Sequence, residues 1–486
     1  CMISPLLTDL YQLTMAHGYF RCGRVADEAV FHLFFRKLPF HGGYAIAAGL
    51  EPVLDFIEGF QFAADDLAYL SSLTGHDGAA LFGADFLDYL GALRLRIDVD
   101  AVPEGSLVFA HEPLLRVRGS LIEAQLLETT LLNIINFQTL IATKAARVCG
   151  AARGEPVLEL GLRRAQGIDG ALAASRAAFI GGCTATSNVL AGKRFGIPVR
   201  GTHAHSWVMS FDTEREAFEA YADAMPNNCV LLVDTYDTLG GVQNAIAVGE
   251  RLRQQGKRLL GIRLDSGDLA WLSVEARKML DHAGFHDTGI VASNDLDEQL
   301  IESLKHQDAA ISVWGVGTKL VTAYDQPALG GVYKLSMIAR NGGPLAPRIK
   351  LSEQVAKISN PGIQQVRRYS QHGQFVADCI YDEAEGIKSP ETLVDPLNPA
   401  RERRLDAELQ AEDLLVPAVR KGQRVLPAAS MAALQARTQA SLVQLHPSVK
   451  RLANPHEYPV GLSRGLHAQR MSLVEQARTK KGEAVP

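Results

Sequence analysis

Cysteine is scarce and scattered. The six residues, at positions 1, 22, 149, 183, 229 and 379 of 486, form no Cys-x-x-Cys pair, which excludes a zinc knuckle, a thioredoxin-type redox centre and a dense disulfide framework. Long apolar runs are also missing. No stretch of about 18 uninterrupted apolar residues occurs, and the opening "CMISPLLTDLYQL" has no basic region leading into an apolar one. The sequence therefore predicts no membrane span and no export signal, and the reducing cytoplasm as the compartment. Positive charge is not in excess either: 49 Lys and Arg stand against 54 Asp and Glu, a net charge of -5, with an isoelectric point near 6.3. No broad basic field is available for a nucleic acid, so an anionic ligand has to be met by a local cluster of donors. There is no internal repeat and no low-complexity segment.

What is present is the composition of a globular chain with more than one core: 47% hydrophobic, 21% charged and a mean hydropathy of +0.01. From about residue 150 a short apolar run, a polar or Gly-rich cluster and a helical stretch recur. The runs are "PVLELGL" (156–162), "IPVRGTHAH" (197–205), "CVLLVDTYD" (229–237), "RLLGIRLDSGD" (258–268), "GIVASND" (289–295), "ISVWGVGT" (311–318) and "GVYKLSMI" (331–338). Strands alternating with helices at this spacing are parallel βα units. The expected fold class is α/β, an irregular or incomplete (β/α) barrel over 146–345, with an α+β domain over 1–145. In that first domain "EAVFHLFFRKLPF" and "LRLRIDVDAVPEGSLVFAHEPLLRVRG" alternate as antiparallel strands, and 120–148 reads as one long apolar helix. A strand-rich stretch, 346–425, is expected to return to the N-terminal layer, and 426–486 to form a helical tail.

Nearly every run of the second region ends in residues capable of chemistry: Arg163 and Arg164, His203 and His205, Asp234 and Asp237, Asp265 and Asp268, Asn294 and Asp295, Thr318 and Lys319. Helix capping accounts for any one of them; six together read as an active-site rim at the C-terminal ends of barrel strands. His203 and His205 would project from one face of a strand, two residues apart. Such a pair also opens zinc hydrolase sites, but the other histidines fall at none of these strand ends, which leaves a zinc-dependent barrel hydrolase as a rival and no protein metal site as the expectation. In "GIRLDSGDLAWL" Arg263 and Asp265 share a strand face, suited to an anion beside a vicinal diol. The glycines of "GVGTKLVT" let backbone N–H groups approach a phosphate, with Thr318 or Lys319 completing the cradle. Of Arg163 and Arg164, neighbours on a strand end, one is expected to face the ligand. "VLLVDTYDTLGGV" superficially resembles a phosphoribosyl pyrophosphate loop, but Thr235 stands where a second acid is needed, and Asp234 reads as a strand end beside a helix cap.

Taken together, "TDLYQLTMAHGYF", "FFRKLPFHGGYAIAAGL", "LLNIINFQTLIATKAARV", "LRRAQGIDGALAASRAAFIGGCTATSNVLAGKRFGIPVRGTHAHSW", "IRLDSGDL", "ASNDLDE" and "GVGTKLVT" closely resemble the nicotinate phosphoribosyltransferase family, over roughly residues 6 to 365 and again at "NPHEYPVGLS" (454–463). The resemblance implies a type II phosphoribosyltransferase fold and a homodimer with sites shared between subunits. It also implies a reaction that joins nicotinate to phosphoribosyl pyrophosphate, coupled to ATP hydrolysis with Mg²⁺. His205 matches a histidine that is transiently phosphorylated, and Asp265 a residue at the ribose hydroxyls. Arg163 and Arg263 match residues on the pyridine and pyrophosphate side, and Gly317 and Thr318 the 5'-phosphate loop. Tyr11 matches an aromatic that stacks on the pyridine from the partner subunit, and Arg36 a cross-subunit phosphate contact. Leu160 stands where relatives commonly have Phe, so stacking is expected from one side. Thr184 stands where nicotinamide-using cousins carry an aspartate, which favours a carboxylate ligand. His203 matches no assigned role. Nicotinamide- or quinolinate-using transferases and a ligand-sensing homologue without activity are the remaining rivals.

Overall fold

In the computed structural model, residues 3–352, 354, 357–389 and 391–482 are described; Cys1 lies outside them. The chain divides into two compact units, one of residues 1–139, 328–430 and 436–486, the other of 140–327 with 431–435. The division falls inside the helix Glu128–Ala151, which a shorter helix, Leu121–Leu126, precedes. The single long helix expected over 120–148 is thus two, broken at Leu127.

The second unit is built on a six-stranded sheet. Its spatial order is Ala185–Thr186, Val157–Glu159, Val313–Val316, Gly289–Ala292, Gly261–Leu264 and Val230–Leu232, all parallel. Leu231, Leu232, Ile262, Leu264, Ile290, Trp314 and Val316 are fully or almost fully buried, as the apolar runs require of a sheet covered on both faces. Helices follow the strands, and their first turns are capped locally. Asp237, Asp268 and Asp297 each accept backbone N–H groups of the helix they open, and Thr213 with Glu216 forms a capping box. Capping is therefore what Asp237 and Asp268 do, while Asp234 and Asp265 cap nothing.

Two of the seven expected strands are not in this sheet. "GVYKLSMI" belongs to Gly331–Ala339, which pairs antiparallel with Glu28–Phe35 in the other unit; its apolar alternation suits either kind of sheet, and nothing local distinguishes them. The run 197–205 forms no strand beyond a single bridge, Thr186 to Val199. Pro198 has no N–H to give and Gly201 disfavours a regular strand. The segment runs extended past both edges of the sheet: Arg200 N–H donates to Thr186 O and Thr186 N–H to Pro198 O, while Thr202 Oγ1 donates to Val230 O at 2.6 Å. The expected (β/α) barrel is thus, as a ladder of strands, an open parallel sheet, because the stretch between its edges bonds through side chains as well as backbone.

The first unit holds a seven-stranded sheet that includes Glu28–Phe35, Leu115–Ser120 and Asp98–Ala101, with Val416–Arg420 added at Asp98–Ala101. Residues 364–413 do not join that layer. They form a second sheet, in which Val460–Ser463 lies between Thr392–Val394 and Gln374–Asp382. The tail is accordingly not purely helical: helices Met431–Gln444 and Arg464–Gly482 flank a strand. The expected strand "RIKLSEQVAKI" is reduced, among the described residues, to the Ala346–Pro347 pairing before it.

Candidate active site

A cavity of about 1000 Å³ in the second unit runs along the parallel strands, from residues at their starts such as Pro156, Leu260 and Gly289 to residues at their C-terminal ends such as Asp265 and Gly317. It is lined by Leu160, Arg163, Thr184, His205, Arg263, Asp265, Gly317 and Thr318 together. Tyr11 and Arg36 lie in the other unit. Tyr11 is half exposed on the helix Leu10–Arg21, where partial burial and then the carboxylates of Glu128 and Asp9 raise its hydroxyl pKa. The Arg36 guanidinium stands 6.0 Å from the centre of the Phe34 ring.

His205 opens the short helix His205–Met209. Its Nε2 lies 3.2 Å from Oδ1 of Asp234, whose side chain is 1% exposed. A carboxylate can only accept, so in the neutral ring the proton belongs on Nε2 and the Nδ1 lone pair is left free. The other oxygen of Asp234 accepts the Asp265 N–H at 2.8 Å and the Ser266 hydroxyl at 2.6 Å. Asp234 therefore ties His205 to the turn that carries Asp265. The Asp265 carboxylate faces the cavity and accepts the Ser293 hydroxyl at 2.6 Å.

Arg263 projects from Gly261–Leu264. One of its Nη2 hydrogens goes to the carbonyl of His203 at 2.9 Å, and its buried Nε has no partner among the described residues. Burial holds its pKa below the ordinary guanidinium value, against the opposing pull of Asp265 and Asp234. Arg163 and Arg164 sit on a 3-10 turn, Leu162–Arg164, rather than on a strand end, and so both line the cavity instead of one. With Arg200 and Arg263 they make four guanidinium groups against the carboxylates of Asp265 and Asp295. This is the local cluster of donors an anion needs in a chain of negative net charge.

Glu159 holds this end of the sheet together. Buried to 1% exposure, it accepts the Gly161 N–H with Oε1 at 2.5 Å and the Ser175 and Thr186 hydroxyls with Oε2 at 2.8 and 2.6 Å. Gly161 must be glycine, since a Cβ there would stand 2.4 Å from Val321. Gly317 precedes the turn of helix Thr318–Val321, leaving backbone N–H groups at the cavity wall. Lys319 does not line the cavity; its Nζ pairs with Asp297 at 2.7 Å. Thr184 gives its hydroxyl proton to Val157 O at 3.2 Å. His203 lines the same cavity as His205, with its ring packed against Tyr221, 4.6 Å between ring centres.

Sequence reading underrates Asp234, Glu159, Arg164 and Arg200. The longest bonds that make Asp234 and Glu159 matter reach residues 27–32 positions away, and no local pattern encodes them. For Arg200 a signal existed, a basic residue three before the first histidine of the pair.

Comparison with known proteins covers nearly the whole chain. Residues 6–136 match the nicotinate phosphoribosyltransferase N-terminal domain, 157–360 the nicotinate phosphoribosyltransferase family and 363–470 its C-terminal domain. The chain is 45% identical over 484 residues to nicotinate phosphoribosyltransferase of Bacillus subtilis (strain 168), covering 98% of this chain and 96% of that protein. It is 38% identical over 528 residues to the Homo sapiens protein of the same name, covering 96% of each. Its structure resembles that of human nicotinic acid phosphoribosyltransferase with a TM-score of 0.84 at 35% identity, over 96% of this chain and 99% of that one. A nicotinate-nucleotide pyrophosphorylase from Pyrococcus furiosus shares the fold, with a TM-score of 0.67 at 22% identity over 90% of this chain and 94% of that one.

Proposed function

The chain belongs to the nicotinate phosphoribosyltransferase family, and on that premise we propose that it forms nicotinate mononucleotide with the help of ATP, through a phosphohistidine at His205. Nicotinate and phosphoribosyl pyrophosphate are the substrates of this family's reaction, a step of NAD salvage. The observation that carries the ATP-coupled reading is the Asp234 bridge. It fixes the tautomer of His205 so that Nδ1 faces outward as a nucleophile, in a cavity rich in arginine.

Nδ1 takes the γ-phosphoryl group of ATP. An N–P bond forms, the bond to the bridging oxygen breaks, and ADP leaves. The charged imidazole then stands beside the pyrophosphate of the second substrate, where Arg163, Arg164, Arg200 and Arg263 offset the added charge. The pyridine nitrogen attacks C1' of the ribose, and the C–O bond to pyrophosphate breaks. Asp265 accepts the ribose hydroxyls, and the N–H groups around Gly317 and Thr318 hold the 5'-phosphate. Hydrolysis of the phosphohistidine restores His205. Leu160 offers one apolar wall to the pyridine, and Thr184, uncharged, does not repel the carboxylate.

Among the described residues no three His, Cys, Asp or Glu side chains converge as a metal cage. Asp265 and Asp295 are the cavity acids that would hold Mg²⁺ beside the phosphates of the substrates. When bound it supplies charge neutralisation at the leaving pyrophosphate. Tyr11 and Arg36 serve the site of a partner subunit on this reading, which makes the working form a homodimer. The described cysteines are free thiols, the state that the reducing cytoplasm we propose for this chain would maintain; among the described residues no helix is long and apolar enough to cross a membrane.

The test uses γ-labelled ATP with nicotinate or nicotinamide and phosphoribosyl pyrophosphate. Acid-labile label on the wild type and none on His205→Ala, with nicotinate consumed and nicotinamide not, is the expected result. Equal labelling of the variant overturns the phosphohistidine.

A further inference from the structure

The strand Val230–Leu232 is an edge of the parallel sheet. Alternate amides of an edge strand have no neighbouring strand to bond: Val233 N–H turns inward to Arg263 O, so Leu232 N–H points out of the open edge, in a residue that is fully buried. Nε2 of His203 accepts it at 3.3 Å. Beside it, the hydroxyl of Thr202 donates to Val230 O. Two adjacent side chains thus supply one acceptor and one donor in place of a missing strand.

We propose that His203 is a positioning residue: by accepting the Leu232 amide, its imidazole clips the extended 198–204 segment to the sheet edge and sets both His205 and Arg263 for the reaction. The inference rests on the phosphohistidine reading for the role of His205. Three bonds converge on this stretch. The His203 ring goes to Leu232, its carbonyl takes Arg263 at 2.9 Å, and two residues on, His205 reaches Asp234, which stands two residues beyond Leu232. A shift of the ring off the edge therefore moves the nucleophile and the arginine together.

An acceptor at Nε2 demands an unprotonated ring, with its one proton on Nδ1 facing the Ala204 carbonyl at 3.4 Å. The surroundings enforce this. Burial, opposed in part by the bond to the Ala204 carbonyl and helped by the Arg263 cation, lowers the pKa of His203 to about 4. Tyr221, a further titratable neighbour, meets the ring edge to face. Protonation would set N–H against N–H and release the clip.

The experiment compares His203→Leu, which fills the site without an acceptor, with His203→Gln, whose Oε1 can take the same amide and does not titrate. Turnover of nicotinate, the initial rate of phosphate labelling and hydrogen exchange of the peptide spanning 230–236 are measured on the full-length protein. H203L is expected to lose at least about 10-fold in kcat, the cost of misplacing a reacting group, and to exchange faster at 230–236. H203Q is expected to stay within about 3-fold of the wild type and to retain turnover at acidic pH better than it does, because its clip has no proton to gain. H203L turning over like the wild type, or H203Q as impaired as H203L, overturns the proposal. Should H203L not fold, His203→Met takes its place. A wild type that makes product without becoming labelled overturns the phosphohistidine instead, and kcat and exchange still decide the role of His203.

Discussion

Asp234 serves His205 and the Asp265 turn with different oxygens, so its substitution separates charge from shape. Asp234→Asn keeps the volume but offers an N–H in place of one oxygen. Where that N–H meets Nε2 the imidazole proton must move to Nδ1, and the nucleophile is lost. The expected result is a fall in kcat of up to about 10⁴-fold, the loss a wrong tautomer produces, with a thermal midpoint near that of the wild type, read from steady-state kinetics beside calorimetry. The legibility of these residues in the sequence follows from how local their work is. Asp265, Arg263 and Gly317 stand in short strings whose neighbours already suggest a diol, an anion and a phosphate. Asp234 sits in a string that equally describes a helix cap, and its neighbour Asp237 is one. His203 belongs to a run that alternates like a strand, yet its ring turns to the sheet edge and to Tyr221, both far along the chain. The pH response of His203 also has a definite sign. With a folded pKa of about 4 against an ordinary value near 6.5, its contribution to stability is complete above pH ~6.5 and falls as pH drops from there toward 4, while the unfolded chain gains the proton.

At the scale of elements, the helices of the parallel unit are legible because their caps and their apolar faces lie within a few residues of each other. Strands are less so. An apolar alternation does not say which sheet it enters, which is why Gly331–Ala339 reads as a seventh parallel strand and is found antiparallel beside Glu28–Phe35. The close fit of helix to strand behind the site gives a prediction at this scale. The helix Thr238–Gln254 meets the end of Val230–Leu232 at Gly241, where a Cβ would lie 2.0 Å from the Val233 carbonyl oxygen. Backbone cannot rotate away as a side chain can, so Gly241→Ala must push the helix off the strand. A loss of roughly 2 kcal/mol or more of stability is expected, and with it a displacement of Asp234, one residue beyond Val233. Denaturant unfolding and kcat measured on the same preparation should therefore fall together. Gly256→Ala, at a glycine with nothing within 4 Å of its added carbon but a left-handed φ of +69°, would lose stability alone.

For the whole molecule, a homodimer with shared sites predicts complementation. On the proposed reading, His205→Ala would spoil the cavity of its own chain, and Arg36→Ala what its chain would lend to a partner. Mixed and allowed to exchange subunits, the two inactive variants should form hybrid dimers with one sound site. They should recover up to about a quarter of wild-type activity, given random pairing in a two-fold assembly; no recovery would place Arg36 in service of its own subunit. The order of the chain carries a different consequence. Val460–Ser463 lies in the middle of its sheet, between Thr392–Val394 and Gln374–Asp382, both of which precede it by many residues. During synthesis those two strands emerge early and wait, each with a bare edge turned toward the place its neighbour will fill. Until residue 463 leaves the ribosome, the nascent chain offers a vacant slot to any extended peptide nearby, which makes this sheet a natural client for chaperones and a premature stop before 460 a source of aggregates rather than of a smaller enzyme.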